Sequence, residues 1–294
     1  MTTFCIRGTP MIKILETPRD AMQGIAQFIP TERKVQYLNA LLDVGFDMLD
    51  FGSFVSPRAI PQLRDSGEVI EQLNTEKSNT EIIATIGNYK GAERAFEHSK
   101  IDAVAFPFSI SEIFLQKNIK SDFEKGKQTI DDLLALCHKK DKGLKLYIAM
   151  AFGNPYGDIW NTDILIQWVE KLLKMGVQDI ILADTTGDGS VKDIGESFAK
   201  LNSEFPNLNP GAHLHTLPNN WRQKLSAAYD NGCRSFDSVI GGFGGCPMSG
   251  KALMGNLDTS NLMGFLEEKK EKTNIDSAAL LNAFSIGNEV FGEV

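Results

Sequence analysis

The chain is predicted to fold as a parallel (β/α)8 barrel, a TIM barrel, on three observations. Short β-branched or apolar runs begin near Ile12, Met48, Glu81, Ala103, Lys145, Asp179, Gly211 and Ser235. Stretches with apolar residues at helical spacing lie between them. The eight units are spread evenly over about 250 residues, the usual size of one such barrel, with no Pro/Gly/Ser-rich linker to divide them. A doubly wound open sheet is the competing arrangement. The expected organisation is one catalytic domain over residues 1–294, with the barrel at about 11–270 and a short C-terminal helical extension at about 271–294.

Taken in order, the first strand opens after Met11, and residues 1–10 read as an extension ahead of it. The clearest helical patterns are Glu32 to Val44, Ile60 to Leu73, Asp163 to Met175, Val191 to Glu204 and Asn219 to Asn231. Gly45, Gly176 and Gly232 follow the last apolar positions of three of them, where a left-handed C-cap is wanted. Ser109 to Lys142 is longer than one helix needs and is interrupted at Lys117-Asn-Ile-Lys-Ser-Asp122, which predicts two helices. The amphipathic tail Ile275 to Val290 is expected to pack on the barrel or on a partner.

Composition narrows the class of function. With 42% hydrophobic and 23% charged residues the chain has the usage of a soluble globular protein. A net charge of −8 argues against a nucleic-acid partner, because phosphate binding wants clustered Lys and Arg. The mixed-sign runs Lys139 to Lys142 and Glu267 to Lys272 read as solvated helix ends. Cys5, Cys137, Cys233 and Cys246 show no CxxC and no paired spacing, which fits a reducing cytoplasm and neither a zinc ribbon nor a disulfide framework. No run of about 18 apolar residues and no apolar leader suggest a membrane.

Chemistry enters at Gly211-Ala-His-Leu-His-Thr216, which holds two of the four histidines. Residues i and i+2 of a strand share a face, about 6.6 Å apart, so His213 and His215 can approach one metal ion. Barrels of this kind carry their chemistry on the loops after the strands. Arg19 and Asp20 follow strand 1, Asp50 and Ser53 end strand 2, Asp184 and Thr185 end strand 6, and a glycine-dense loop containing Cys246 and ending at Asn256 follows strand 8. Asp20, His213, His215 and Asn256 offer mixed oxygen and nitrogen donors without thiolate, a set suited to an open six-coordinate Mg²⁺ or Mn²⁺. Read singly, Asp20 is equally a cap or turn residue and Asn256 an N-cap of the next helix. Arg19 brings a permanent positive charge able to stabilise an enolate oxygen. Cys246 reads either as a proton donor or acceptor on a lid loop or as a small buried apolar residue beside Pro247.

These residues resemble the 3-hydroxy-3-methylglutaryl-CoA lyase family of metal-dependent barrel lyases, from about Leu15 to Glu267. The resemblance rests on Pro18-Arg-Asp-Ala-Met-Gln23 and Ser53-Phe-Val-Ser-Pro57, then Ser111-Glu-Ile-Phe114 with Lys117-Asn-Ile119. Asn154-Pro-Tyr-Gly157, Asp184-Thr-Thr-Gly187, His213-Leu-His215, Gly244-Gly-Cys-Pro247 and Gly255-Asn-Leu257 complete the ordered set. It implies retro-Claisen cleavage of a 3-hydroxyacyl-CoA, in the parent reaction to acetyl-CoA and acetoacetate, by a homodimer. It further implies Asp20, His213, His215 and Asn256 as ligands of Mg²⁺ or Mn²⁺, and a catalytic group of Arg19, Cys246, His213, Asp50 and Asp184. Gln23, Ser53 and Thr185 would contact substrate.

The chain departs from that pattern at five points. Ala21 replaces a glycine, and Thr216 stands where the HxH pair is usually followed by Asp. Asp50 stands where Glu is usual, and the lysine often found shortly after the first motif is absent from Gly24-Ile-Ala-Gln27. The spacing from Cys246 to Asn256 is also one residue longer than expected. The metal ligands and Arg19 are untouched by these changes, so the open question is which acyl-CoA or oxo-acid is the substrate. Bond formation by a related Claisen or aldol enzyme and a barrel without catalysis are the rival readings.

Overall fold

Eight parallel strands of a closed sheet carry the molecule, whose structure is a computed structural model describing residues 11–244 and 255–292. They are β1 (Lys13–Glu16), β2 (Met48–Ser53), β3 (Glu81–Thr85), β4 (Ala103–Ser109), β5 (Gly143–Ala149), β6 (Asp179–Asp184), β7 (Gly211–Thr216) and β8 (Ser235–Ser238). Each pairs with its successor in the chain, and β8 pairs with β1 from Lys13↔Ser235 to Glu16↔Ser238, which closes the barrel and excludes the open sheet. A two-residue strand β9 (Gly255–Asn256) adds antiparallel to the end of β7.

The helices are α1 (Pro18–Gln23), α2 (Thr31–Val44), α3 (Ser66–Glu71), α4 (Tyr89–Ala95), α5 (Glu112–Ile119), α6 (Phe123–Lys140), α7 (Thr162–Met175), α8 (Val191–Glu204), α9 (Trp221–Asp230), α10 (Thr259–Glu268) and α11 (Ser277–Gly292). The predicted split between residues 109 and 142 is made by Lys120, left-handed at φ 52°, and by Asp122, whose side chain accepts from Lys125 N and caps α6. One helical expectation is corrected. Residues 60–73 are not one helix but a 3-10 turn, Pro61–Leu63, followed by α3. Ser66 is the cause: its hydroxyl donates to Leu63 O and accepts from Ser53 N, a tie to β2 that an unbroken helix would forgo. Gly45 ends α2 at φ 85°, a conformation that costs a residue with a Cβ and not glycine.

Alternation sorts the apolar residues into two layers. Outward residues such as Ile14, Leu49, Phe51, Val104, Phe106 and Leu214 fill the layer between strands and helices. Each large side chain buried there contributes about 1.5–3 kcal/mol. The inward layer is small, with Leu15, Ile83, Ala103 and Ala105 packed beside Met48 and Tyr147. Two alanines in four positions leave the strand ends unfilled above them, and that space is the mouth. The predicted C-terminal tail is α11, and it packs on the barrel: Phe291 meets the ring of Tyr37 on α2 edge to face at 5.5 Å and that of Phe243 at 5.0 Å.

Candidate active site

On β7 the outward positions Ala212 and Leu214 join the helix-facing core, so His213 and His215 turn into the barrel. Each ring is held through Nδ1. His215 Nδ1 lies 3.0 Å from Thr185 O, which can only accept, so this nitrogen carries the hydrogen. His213 Nδ1 lies 3.0 Å from Asp237 Oδ2, a carboxylate oxygen that also accepts from the Tyr147 hydroxyl at 2.8 Å. In the neutral form each ring therefore presents a bare Nε2, and the two nitrogens stand 3.2 Å apart. Two lone pairs at that distance repel unless a positive charge lies beside them. The separation is close to the about 3.0 Å expected of neighbouring donors around an octahedral ion with bonds of about 2.1 Å.

Oxygen donors complete the group. Asp20, His213 and His215 bring one donor atom each within 4.8 Å of one another, all three residues buried. Asp20 lies in the first turn of α1 with Pro18 at its start, and its side chain caps no helix; it accepts from Arg19, Gln23 and Asn256. Asn256 is not the N-cap of α10, a place Asp258 takes. It lies instead on β9, directly opposite His215. Its amide hydrogens go to Asp20 Oδ2 and Phe243 O, both at 2.8 Å, which leaves the carbonyl oxygen as the group it can offer a cation. Thr216 supports this pairing, its hydroxyl donating to Asn256 O at 3.4 Å. Gly244, at φ 90°, lies so close to α1 that a Cβ there would stand 2.6 Å from Asp20 O and 2.8 Å from Ala21 Cα.

Arg19 is the positive pole. Its guanidinium reaches Asp50 Oδ2 through Nε and Nη2, both at 2.8 Å, and Asp20 Oδ1 at 2.8 Å through Nη1. Burial opposes the charged guanidinium, but Asp50 and Asp20 outweigh it and hold its pKa above the ordinary arginine value. Burial likewise raises the Asp20 carboxyl, yet Arg19 first and then His213, His215 and Asn256 bring it down to about 2, so it stays an anion. At Asp50 burial prevails over Arg19, and its pKa lies above the usual carboxylate range. The histidines divide. Burial and the neighbouring His213 push His215 down to about 4, which keeps it neutral and able to donate a lone pair. For His213 burial is outweighed by the hydrogen bond and charge of Asp237, and its pKa rises.

These groups edge a cavity of about 320 Å³ whose far wall is apolar, with Val55, Ile60, Ile86, Phe114 and Ile119 facing the charged side. Of the residues expected at the mouth, Arg19, Asp20, Gln23, Thr185, His213 and His215 line this cavity. Others are not brought to it. Asp50 sits behind Arg19, where it also accepts from Thr85 Oγ1. Ser53, expected to contact substrate, is buried with its hydroxyl donating to Thr85 O and accepting from Val55 N. Asp184, expected among the catalytic groups, has the outward parity of Ile180 and Leu182; its carboxylate meets Lys224 Nζ at 2.5 Å in the helix layer. Cys246 lies outside the described residues.

Three residues around the site escaped the sequence reading: Asp237, Tyr147 and Lys224. The signals were present. Asp237 is an acid within a short, otherwise nonionic strand, and Lys224 is a lysine beside Leu225 on the apolar side of α9.

The arrangement has counterparts among known proteins. A hydroxymethylglutaryl-CoA lyase of Bacillus subtilis is 29% identical over 276 residues, covering 94% of this chain and 91% of the relative. A 3-hydroxy-3-isohexenylglutaryl-CoA/hydroxymethylglutaryl-CoA lyase of Pseudomonas aeruginosa is 29% identical over 275 residues, covering 92% and 90%. Among solved structures, an HMG-CoA lyase of Acinetobacter baumannii in complex with coenzyme A and 3-methylmalate superposes with a TM-score of 0.88 at 30% identity, covering 99% of this chain and 93% of that one. The pattern of the HMGL-like family matches residues 11–286, the whole barrel and most of α11, and the chain therefore belongs to the HMGL-like family.

Proposed function

We propose that this protein is a metal-dependent carbon-carbon lyase that splits 3-hydroxy-3-methylglutaryl-CoA, or a close 3-hydroxyacyl-CoA, into acetyl-CoA and a 3-oxo acid, acetoacetate in the parent case. One observation carries the reading: the Arg19 guanidinium and two bare imidazole nitrogens face one cavity around a carboxylate held as an anion. Asp20, His213, His215 and the Asn256 carbonyl oxygen would hold Mg²⁺ or Mn²⁺, and the bound ion supplies Lewis acidity that makes a hydroxyl it touches easier to deprotonate.

The chain's own residues do the rest. The 3-hydroxyl loses its proton, its oxygen becomes a carbonyl, and the C2–C3 electron pair passes into the thioester as an enolate. Arg19, fixed by Asp50 on one side and Asp20 on the other, offers donors to that enolate oxygen without reorganising. His213, its Nδ1 held by Asp237, would offer Nε2 to the ion beside Asp20, His215 and Asn256, and the hydroxyl proton would pass to solvent water in the cavity. A proton then returns to C2, a role we give to the Cys246 thiol. Gln23 and Thr185 contact the substrate from the cavity edge; Asp184 and Ser53 act at one remove.

The apolar wall favours an aliphatic substituent at C3. The Pseudomonas relative, named for an isohexenyl substrate, keeps a longer chain in view. We further infer a homodimer working in the cytoplasm; among the described residues no helix is long and apolar enough to cross a membrane. The test is acetyl-CoA release from 3-hydroxy-3-methylglutaryl-CoA with Mg²⁺ or Mn²⁺, run beside Arg19→Ala and His215→Ala. Release should depend on the ion and on both residues, and activity that survives their loss would sink the mechanism.

A further inference from the structure

Lys224 is a lysine with 3% of its surface exposed, on the buried side of α9 with Leu225 and Ala228. Its ammonium has three hydrogens and meets three oxygens: Asp184 Oδ2 at 2.5 Å, Gly187 O at 2.7 Å and His215 O at 3.1 Å. The other Asp184 oxygen accepts from Gly189 N at 2.9 Å. The pair therefore grips both ends of the segment after β6. Within that segment, Thr185 O receives the Nδ1 hydrogen of His215, and Thr185 Oγ1 accepts from Met150 N at 3.0 Å. Lys224 thus acts on His215 twice, directly on its backbone carbonyl and indirectly on the carbonyl that sets its ring.

We propose that Lys224, through its pair with Asp184, is a positioning residue that fixes the tautomer and direction of His215 as a metal donor. A buried ion pair is a poor source of stability compared with apolar packing, whereas it does fix one geometry among several. Partners one bond removed from a ligand characteristically alter metal affinity by about 10–100-fold. This rests on the reading of His215 as a ligand.

A second buried lysine is the control. Lys34 on α2, 1% exposed, pairs with Asp65 at 2.7 Å and also donates to Gln62 O, away from the mouth. The measurement is the dissociation constant of Mn²⁺ for the purified full chain, with the thermal midpoint recorded alongside. Lys34→Met and Lys224→Met should both lower the midpoint, and only Lys224→Met should weaken Mn²⁺ binding, by about 10–100-fold. The double variant Lys224→Met/Asp184→Asn removes both charges together and so avoids an unpaired buried carboxylate. It should recover midpoint without recovering Mn²⁺ affinity. Wild-type affinity in the double variant would overturn this proposal and leave the proposed function standing. No Mn²⁺ binding by the wild type would overturn the metal assignment and this proposal with it.

Discussion

The two ends of the barrel carry similar charges to different effect. At the floor, where strands begin, Lys145 bridges Glu81 at 3.0 Å and Asp179 at 3.1 Å, and the three side chains are 12%, 32% and 57% exposed. At the mouth, where strands end, Arg19 bridges Asp50 and Asp20 at 2.8 Å, and the exposure of the three side chains is 11%, 0% and 7%. Water reaches the carboxylates of the first cluster and is largely excluded from those of the second, so the Coulomb interaction is weaker at the floor than at the mouth. The lesson is that salt bridges here should be ranked by the water around them. The floor triad trims stability, while the mouth triad aims a guanidinium.

The comparison is tested most severely by Arg19→Ala. Loss of the proposed enolate donor should lower kcat by about 10²–10³, and Arg19→Lys should rescue little, because a point charge cannot span Asp50 and Asp20 as the planar fork does. Steady-state kinetics with saturating Mn²⁺ decide this. Next in size is Asp237→Asn, which leaves His213 free to take the other tautomer and should cost about 10–100-fold in Mn²⁺ affinity or activity. Unchanged Mn²⁺ titration together with unchanged kcat would mean that the mouth is not organised through Nδ1.

A smaller effect lies behind the mouth. Glu16 is wholly buried, accepting from Ile240 N at 2.7 Å and Thr259 Oγ1 at 2.7 Å, and burial pushes its carboxyl up to about 8. The native state then holds a proton that the unfolded chain releases near 4.5. The stability this group supplies is complete below that value and is lost as pH rises through about 8. Glu16→Gln, uncharged throughout, should gain on the wild type in thermal midpoint between pH 5 and pH 8; parallel pH profiles in calorimetry would refute the assignment. Smallest of all should be Asp179→Ala at the floor, with a stability change of about 0.2–1 kcal/mol and kcat unaltered. A kcat loss there comparable to that of Arg19→Ala would collapse the distinction between the two ends.

What could be read from the sequence divides along the same physical line. Strands and helices are local patterns, and the eight strands lie where apolar runs predicted them, apart from β1 starting at Lys13 and β5 at Gly143. The residues that meet at the mouth were also legible where they end strands, as His213, His215 and Thr185 do. Asp184 was misplaced because nearness to a strand end is not enough: alternation turns Thr185 inward and Asp184 outward, a distinction the parity of Ile180 and Leu182 already carried. The partners of the histidines were not legible, since Asp237 and Tyr147 lie 90 residues apart in sequence and nothing local records that they share a contact. The broken helix at residues 61–71 has the same origin, a tie between Ser66 and Ser53 that no periodicity reports.

The short strand β9 has a consequence for how this chain tolerates change. Gly244 rests against the backbone of Asp20, and Asn256 is registered against His215, so these two residues tie the end of the barrel to α1 and to β7. A side chain larger than hydrogen at position 244 would therefore push on Asp20, so this one glycine sets how closely the end of the barrel can approach α1.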